Sequence, residues 1–348
     1  MIVDDSAVVR GLVARWIDEE PELEVVARHP NGKLAVEDVT RSAPDVILLD
    51  IEMPVMDGLE ALPLLLRARP EARVMMVSGR TKRNAEISLQ SLTLGAIDYV
   101  PKPDTNREIT TLPDFRQEVI RKVKGFAALQ RRTREPRKAV ERRAVPVKTC
   151  GYSLVPPRVI AIGCSTGGPV ALSSLLETLS PSLDSVPVLI AQHMPAGFTT
   201  VLAERLASVT GREVREGVDG EPLLPGKVYV APGDFHMTVR EGVPPTLCVE
   251  SGAPLHFCRP AVDPLFTSAA AVFGPAALAI VLTGMGHDGK AGAMAVAGVG
   301  GSVIAQDEAS SVIWGMPGAA AASGACAALL PPKEIARVAA KLVAGARV

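Results

Sequence analysis

Residues 158–169, RVIAIGCSTGGP, decide the architecture. The run Val159, Ile160, Ala161, Ile162 is short, apolar and rich in β-branched residues, which suits a buried strand. Gly163, Gly167 and Gly168 surround Ser165 in a glycine-rich turn, and Pro169 suits the first turn of a helix continuing as PVALSSLLETL. Strand, turn and helix in this order build a parallel sheet covered by helices. Downstream the pattern repeats. VPVLIAQH, KVYVAPG, LAIVLTGM and GSVIAQ read as strands, and TVLAERLASV, PLFTSAAAVF and KAGAMAVAGV as helices. The piece KVYVAPGDFHMTVREGVPPTLCVESG departs from the pattern and reads as an antiparallel hairpin or meander.

Upstream, the same alternation fills residues 1–125. LEVVARH, DVILLDI, ARVMMVSG and AIDYVPK read as strands. AVVRGLVARWIDEE, GKLAVEDVTRSA, LEALPLLLRA, AEISLQSLTLGA and DFRQEVIRKVKGFAALQ read as amphipathic helices. Between the two blocks lies RRTREPRKAVERRAVPVK, basic, Pro-containing and poor in large apolar residues. It reads as a solvated linker, in preference to a contact for an acidic partner or a membrane surface. The expected organisation is a first α/β domain over 1–125, a basic linker over 126–150 and a second α/β domain over 151–348.

The bulk numbers agree with two domains. The chain has 348 residues, 47% of them hydrophobic and only 3% aromatic, a composition that fits parallel α/β sheets. A formal net charge of −1 argues against a general nucleic-acid binder. Five cysteines, an odd number without C-x-x-C spacing, argue against a disulfide framework or zinc site and point to a reducing cytoplasm. The opening MIVDDSAVVR places acids where a signal peptide has basic and apolar regions. Two uncharged stretches, 265–286 and 309–332, are long enough for a membrane span, but Gly, Pro, Ser or Thr interrupt both. The first reads instead as helix, Gly-Pro turn and strand, so no transmembrane segment is expected.

Two groups of residues carry chemistry. Asp4 and Asp5 follow MIV, and Asp50 ends VILLD, so all three fall at carboxyl ends of strands on one rim. Clustered carboxylates stay ionised when a cation neutralises them, and a hard, oxygen-ligated ion such as Mg²⁺ fits. That ion also neutralises a phosphoryl group arriving at Asp50, whose carboxylate can form an acyl phosphate. Ser78 and Lys102 end two further strands, where a hydroxyl and an ammonium suit phosphoryl oxygens.

In the second block, Ser165, His193 and Asp288 follow three strands and supply nucleophile, base and orienter. The turn around Ser165 places a hydroxyl near helix N-terminal amides, which stabilise negative charge. Its G-x-S-x-G spacing matches a nucleophile elbow, but a nucleotide phosphate cradle reads equally well from the turn alone. The order Ser, His, Asp disfavours the α/β-hydrolases, which run Ser, Asp, His. His236, in the expected hairpin, ranks second as base. His29 and His256 read as surface or packing residues, and His287 as a solvated loop residue beside Asp288. Cys164 reads as a small buried filler.

The motifs VDDSAVVR, LLDIEMPVMDG, MMVSGR and DYVPKP resemble those of response-regulator receiver domains across nearly all of residues 1–125. The resemblance implies a flavodoxin-like (βα)5 fold with Asp50 as phosphoacceptor. It implies Asp4, Asp5, Asp50 and the Glu52 carbonyl around Mg²⁺, Ser78 and Lys102 as phosphoryl-binding residues, and Tyr99 as the switch aromatic. In that family the first strand usually starts several residues before the acidic pair. Here three residues precede it, so a short first strand is expected and a start upstream of Met1 is implied.

IGCSTGGP, AQHMPAGFT, PGKVYVAPGDFHM, RPAVDPLF, TGMGHDG and AQDEASSVIWGMPGAA, across about residues 158–325, resemble the CheB-type receptor methylesterase catalytic domain. That resemblance implies a doubly wound, mainly parallel α/β domain with a β-hairpin. It implies catalytic Ser165, His193 and Asp288, flanking Thr166 and Met285, the Met285 N–H as oxyanion donor, and no cofactor in the esterase site. Cys164 stands where Ala is commoner, and His287 where Asn is usual. The activity implied is cleavage of glutamate methyl esters on chemoreceptors, releasing methanol, and deamidation of receptor glutamines. A CheA-like histidine kinase is the implied phosphodonor. Intact Ser165, His193 and Asp288 argue against a catalytically dead adaptor. A serine hydrolase acting on some other ester or amide stays open.

Overall fold

The computed structural model describes residues 1–103, 108–134 and 150–347, with side chains in the helix after residue 107 described over 113–130. The chain divides into two compact units, Met1–Arg143 and Ala144–Val348.

The first unit alternates β1 (Ile2–Val3), α1 (Ala7–Asp18), β2 (Arg28–His29), α2 (Gly32–Ser42), β3 (Val46–Asp50), α3 (Gly58–Ala68), β4 (Arg73–Ser78), α4 (Lys82–Thr93), β5 (Asp98–Pro101) and α5 (Glu108–Arg134). Its five strands are parallel in the flavodoxin-like order β2-β1-β3-β4-β5. Polar residues start the helices. The side chains of Ser6, Asn31 and Thr81 accept from amides in the first turns of α1, α2 and α4, and Asp57 with Glu60 forms a capping box on α3. Ile47, Leu49, Met75 and Met76 of the sheet are fully buried, as are Leu62 and Leu65 of α3 and Phe126 of α5.

The second unit contains β6 (Val159–Cys164), α6 (Gly168–Leu179), β7 (Val188–Gln192), α7 (Phe198–Thr210), β8 (Val214–Glu216), β9 (Val228–Val230), β10 (His236–Arg240), β11 (Thr246–Glu250), α8 (Val262–Phe273), β12 (Ala277–Val281), α9 (Lys290–Gly298), β13 (Ser302–Gln306), α10 (Met316–Ala322), β14 (Ala328–Leu330) and α11 (Pro332–Val343). Seven strands form one parallel sheet in the order β14-β13-β12-β6-β7-β9-β8. β10 and β11 stand apart as an antiparallel pair. One core face gathers Leu189, Tyr229, Phe266, Ala279 and Val303.

Four expectations change. LEVVARH contributes only Arg28 and His29 to a strand, because β1 offers just Ile2 and Val3 as partners. KVYVAPG joins the parallel sheet as β9, so the antiparallel element is the β10–β11 hairpin alone. The linker does not start at 126: α5 continues through Arg134, and Phe126 lies in the core. The remainder of the expected linker, 135–149, lies outside the described residues. β8, β14 and α10 are short and carry weak sequence patterns, whereas α11, whose Ile335, Ala339 and Leu342 recur at helical spacing on its buried face, is an element the expectation lacks. Residues 265–286 do fold as helix, 3-10 turn and strand, and among the described residues no helix is long and apolar enough to cross a membrane.

Helix α3 separates core packing from capping. In a Trp314→Phe background, Trp16 is the only tryptophan and reports on the first unit. Leu62→Ala is expected to lower that unit's urea stability by about 2–5 kcal/mol, and Asp57→Ala by about 1 kcal/mol. Equal losses would contradict this account of the helix.

Candidate active site

Each sheet presents its chemistry where its strand order reverses. In the first unit that point lies between β1 and β3. Asp4 and Asp5 follow β1, Asp50 ends β3, and one carboxylate oxygen from each lies within 4.8 Å of the others. Lys102 Nζ bridges Asp4 Oδ2 and Asp50 Oδ2 at 2.8 Å each. Burial raises the Asp50 carboxyl to about 6, opposed by Lys102 and aided by the charge of Asp4. Ser78 is fully buried at the end of β4, with its Oγ 2.9 Å from that of Ser88. Tyr99 is buried, and Lys122 donates to its carbonyl at 2.7 Å. Glu52 is exposed, two residues beyond Asp50.

In the second unit β12, β6 and β7 are adjacent, and the order reverses at β6. Register pairs Cys164 with Gln192, which makes Ser165 and His193 the next residues off the two strand ends. Asp288 lies beyond the end of β12, on the other side of β6. His193 Nε2 hydrogen-bonds Asp288 Oδ2 at 2.8 Å. This leaves Nδ1 as the ring nitrogen not bonded to Asp288, the reverse of the ring orientation in the serine-protease triad. Ser165 is almost wholly buried, and its amide donates to Thr283 O at 3.0 Å. Its Oγ makes no hydrogen bond among the described residues; such bonds commonly close only with substrate in place.

Gly284 presses against this turn. A Cβ there would come within 2.8 Å of Ser165 Cβ. Met285 follows it, and its N–H has no acceptor among the described residues. Gly167, at φ +78°, lets the chain turn from Ser165 into α6, whose positive end faces the same region. Thr166 is buried, and its carbonyl accepts from Thr283 Oγ1 at 3.0 Å.

Asp288 has a second set of partners. Its Oδ2 accepts from Val262 N at 2.6 Å, and its Oδ1 from Asp263 N and Gly289 N at 2.9 Å each. Val262 and Asp263 open α8, so Asp288 caps that helix. Asp263 returns the contact, accepting from Gly292 N in the first turn of α9 at 2.7 Å. Burial acts to raise the Asp288 carboxyl, but the His193 hydrogen bond and charge, with the two α8 amides, bring it to about 2. For His193, burial acts to lower the pKa, and Cys258 and Asp288 together raise it to about 9.

Cys258 is the neighbour that sequence reading missed. Although 65 residues away in sequence, it lies close enough to His193 to bear on the charge of the ring. A tight turn delivers it: Leu255 and Cys258 exchange two backbone hydrogen bonds, and His256 and Phe257 between them sit at φ +53° and +63°. These are the dihedral signs of a type I′ turn, in which Asn-Gly would have signalled it.

The other histidines sort by contact. His236 Nδ1 accepts from Ala261 N at 3.2 Å and its Nε2 donates to Ala253 O at 3.0 Å, so both nitrogens are engaged and neither serves as base. His29 pairs with Asp38 at 2.9 Å. His256 is exposed, as expected, but also faces Asp263 and stacks edge-on against His287. All five cysteines are free. Cys164 is fully buried, and burial drives its thiol far above the usual range, which suits a packing role.

Known proteins share both halves. The description "CheB methylesterase" matches residues 160–339, and "response regulator receiver domain" matches residues 1–112. A protein-glutamate methylesterase/protein-glutamine glutaminase of Nitrobacter hamburgensis is 48% identical, over 99% of this chain and 94% of its own. One of Paramagnetospirillum magneticum is 47% identical, over 99% of this chain and 96% of its own. The solved Thermotoga maritima CheB methylesterase catalytic domain is 38% identical, covers 54% of this chain and 100% of its own, and superposes with a TM-score of 0.52. The chain belongs to the CheB methylesterase family, with a response regulator receiver domain ahead of its catalytic domain.

Proposed function

We propose that the chain is a phosphorylation-regulated enzyme that hydrolyses glutamate methyl esters on chemoreceptors and deamidates receptor glutamines, with Ser165 as nucleophile, His193 as base and Asp288 as orienter. The observation that carries this reading is the 2.8 Å His193–Asp288 bond at the strand ends flanking Ser165.

His193 takes the Ser165 proton as Oγ bonds to the γ-carbonyl carbon of a methyl glutamate. The Met285 N–H, with Thr166 alongside, meets the oxygen that becomes negative. The ester C–O bond then breaks, His193 returns the proton, and methanol leaves. Water attacks the glutamyl ester of Ser165 in the same way and frees glutamate. With a glutamine, ammonia leaves in place of methanol.

Receiver domains are phosphorylated in a Mg²⁺-dependent reaction. The residues here fit that ion: Asp4, Asp5 and Asp50 converge with hard oxygen donors. Their side chains and the Glu52 carbonyl would hold it, and it would neutralise the incoming phosphoryl charge. Asp50 attacks phosphorus on a CheA-like histidine kinase, and the phosphorus–nitrogen bond breaks. Lys102 and Ser78 steady the phosphoryl oxygens, and Tyr99 reports the change. Phosphorylation frees the esterase from a resting inhibition, which requires the phosphoryl group to bind the open arrangement more strongly. A cytoplasmic setting suits the five free thiols.

Methanol release from methylated receptor cytoplasmic fragments tests the whole reading. It is expected to rise with acetyl phosphate and to fall by more than ~10³-fold in Ser165→Ala. In Asp50→Asn the basal rate should persist without stimulation. Release that survives in Ser165→Ala would refute the nucleophile.

The pH profile tests the base. His193 acts only when neutral, so release should fall as pH drops through about 9. Cys258 helps to raise that midpoint. Cys258→Ala should therefore move it to lower pH and increase release near neutrality. An unmoved midpoint would remove the thiol from the electrostatics of the site.

A further inference from the structure

Two aromatic rings stand in solvent beside the triad, and the bond-breaking steps use neither. Of the seven phenylalanines, three tyrosines and two tryptophans in the chain, only Phe235 and Phe257 are exposed, at 41% and 80%. Exposed aliphatic side chains are ordinary on any protein surface. That the only two exposed aromatic rings fall at one rim is not, since rings of this kind carry a large share of binding energy where another chain covers them.

Both rings ride on loops tied to the triad. His256, just before Phe257, stacks on His287 with ring centroids 4.5 Å apart, and His287 precedes Asp288. His256 Nε2 also lies 3.4 Å from Asp263 Oδ2, and the Asp263 amide donates to Asp288. Cys258, just after Phe257, lies beside His193. The neighbours of Phe257 thus face the triad while its own ring stays in solvent. Phe235 follows β9 on a loop closed against the segment that leaves His193. Gly233 packs so tightly there that a Cβ would strike the Ala196 amide, and its N–H donates to Thr199 Oγ1 at 3.0 Å. Asp234 N donates to Arg259 O at 3.2 Å, which joins the two loops.

The backbone of both loops is strained. Among the described residues five other than glycine have positive φ, and three of them are Asp234 at +68°, His256 at +53° and Phe257 at +63°. Aspartate tolerates this region, whereas a bulky aromatic residue does so only at a cost. Such strain persists where the surrounding structure holds it, and it gathers at ligand clamps and active sites. Ser165 is almost wholly buried, so a glutamate side chain must reach inward to it. The main chain that carries this glutamate stays outside, along the rim where Phe235 and Phe257 stand.

We propose that Phe235 and Phe257 form a seat for a large apolar side chain of the receptor next to the methylated glutamate, and so select which glutamates reach Ser165. The seat rests on the triad reading given above and adds to it the part of the substrate that is recognised. Rigid rings suit this task, because they offer contact area with little side-chain freedom to lose.

The test uses the full chain with Mg²⁺ and acetyl phosphate, and methylated receptor cytoplasmic fragments as substrate. Phe257→Ala and Phe235→Ala should each raise KM about tenfold and leave kcat within about twofold. Phe257→Leu should recover most of the loss, because an apolar side chain still lines the seat. The pH midpoint of release should stay in place in all three. Val243, fully exposed on the β10–β11 turn, is the control, and Val243→Ala should leave KM unchanged. In a Ser165→Ala background, where binding is read without turnover, Phe257→Ala should weaken capture of the fragment about tenfold. An unchanged KM in both alanine variants overturns the seat. A loss in kcat or a moved midpoint in place of the KM rise also overturns it, and makes the turn a support for His193 alone. Release that rises in Phe257→Ala without acetyl phosphate would assign the ring to the resting inhibition instead. Failure of the triad reading is seen separately, as methanol release that survives Ser165→Ala.

Discussion

The carboxylate of Asp288 is the contact on which the catalytic half depends. It is buried, and four groups converge on it: the His193 imidazole and the amides of Val262, Asp263 and Gly289. A buried anion left unpaired would be costly. Here the positive end of α8 and the His193 ring share it, so one charge both caps a helix and orients an imidazole. Charged caps of this sort contribute about 0.3–2 kcal/mol. Asp263 gives α9 the matching contact, and the two helices are thus locked at their starts. The stiffness of the site follows from this reciprocal capping.

The same constraint recurs in the first unit with a different outcome. At both reversal points, backbone amides and carbonyls leave the sheet and side chains at strand ends fill the gap. In the second unit they form the hydrogen-bonded His193–Asp288 pair at the strand ends flanking Ser165. In the first they form an anion cluster, Asp4 and Asp50, bridged by one ammonium, Lys102. Burial raises Asp50 to about 6 with the charge of Asp4 added to it and Lys102 opposing, whereas at Asp288 the His193 hydrogen bond and charge, with the Val262 and Asp263 amides, overcome burial and bring it to about 2. The two aspartates are tuned in opposite directions by the charges and donors around them.

This contrast also explains what the sequence could tell. Strand-end residues were legible because an apolar run followed by a polar residue marks the rim directly; Asp50, Ser78, Ser165 and His193 all stand so. Asp288 is harder, since it follows β12 at the end of a loop, but its type and place in the rim narrowed the choice. Cys258 gave no such signal. It reaches His193 by a turn whose central residues, His256 and Phe257, carry none of the glycine or asparagine that usually betrays left-handed backbone. The end of α5 was misread for a related reason. RRTR is polar, and composition alone does not separate the last turn of a helix from a linker. LEVVARH had strand propensity throughout, yet strand formation needs a partner and only two residues found one.

His193 shows why the neighbours matter as much as the triad. A base is most useful with a pKa near the working pH. Burial acts to push His193 down, and Cys258 and Asp288 push it up to about 9. The 2.8 Å bond to Asp288 orients the ring whether it is neutral or charged. Anything that weakens the thiol's influence, or brings a substrate that excludes water and competes for the proton on Nδ1, moves the site toward reactivity without moving the backbone.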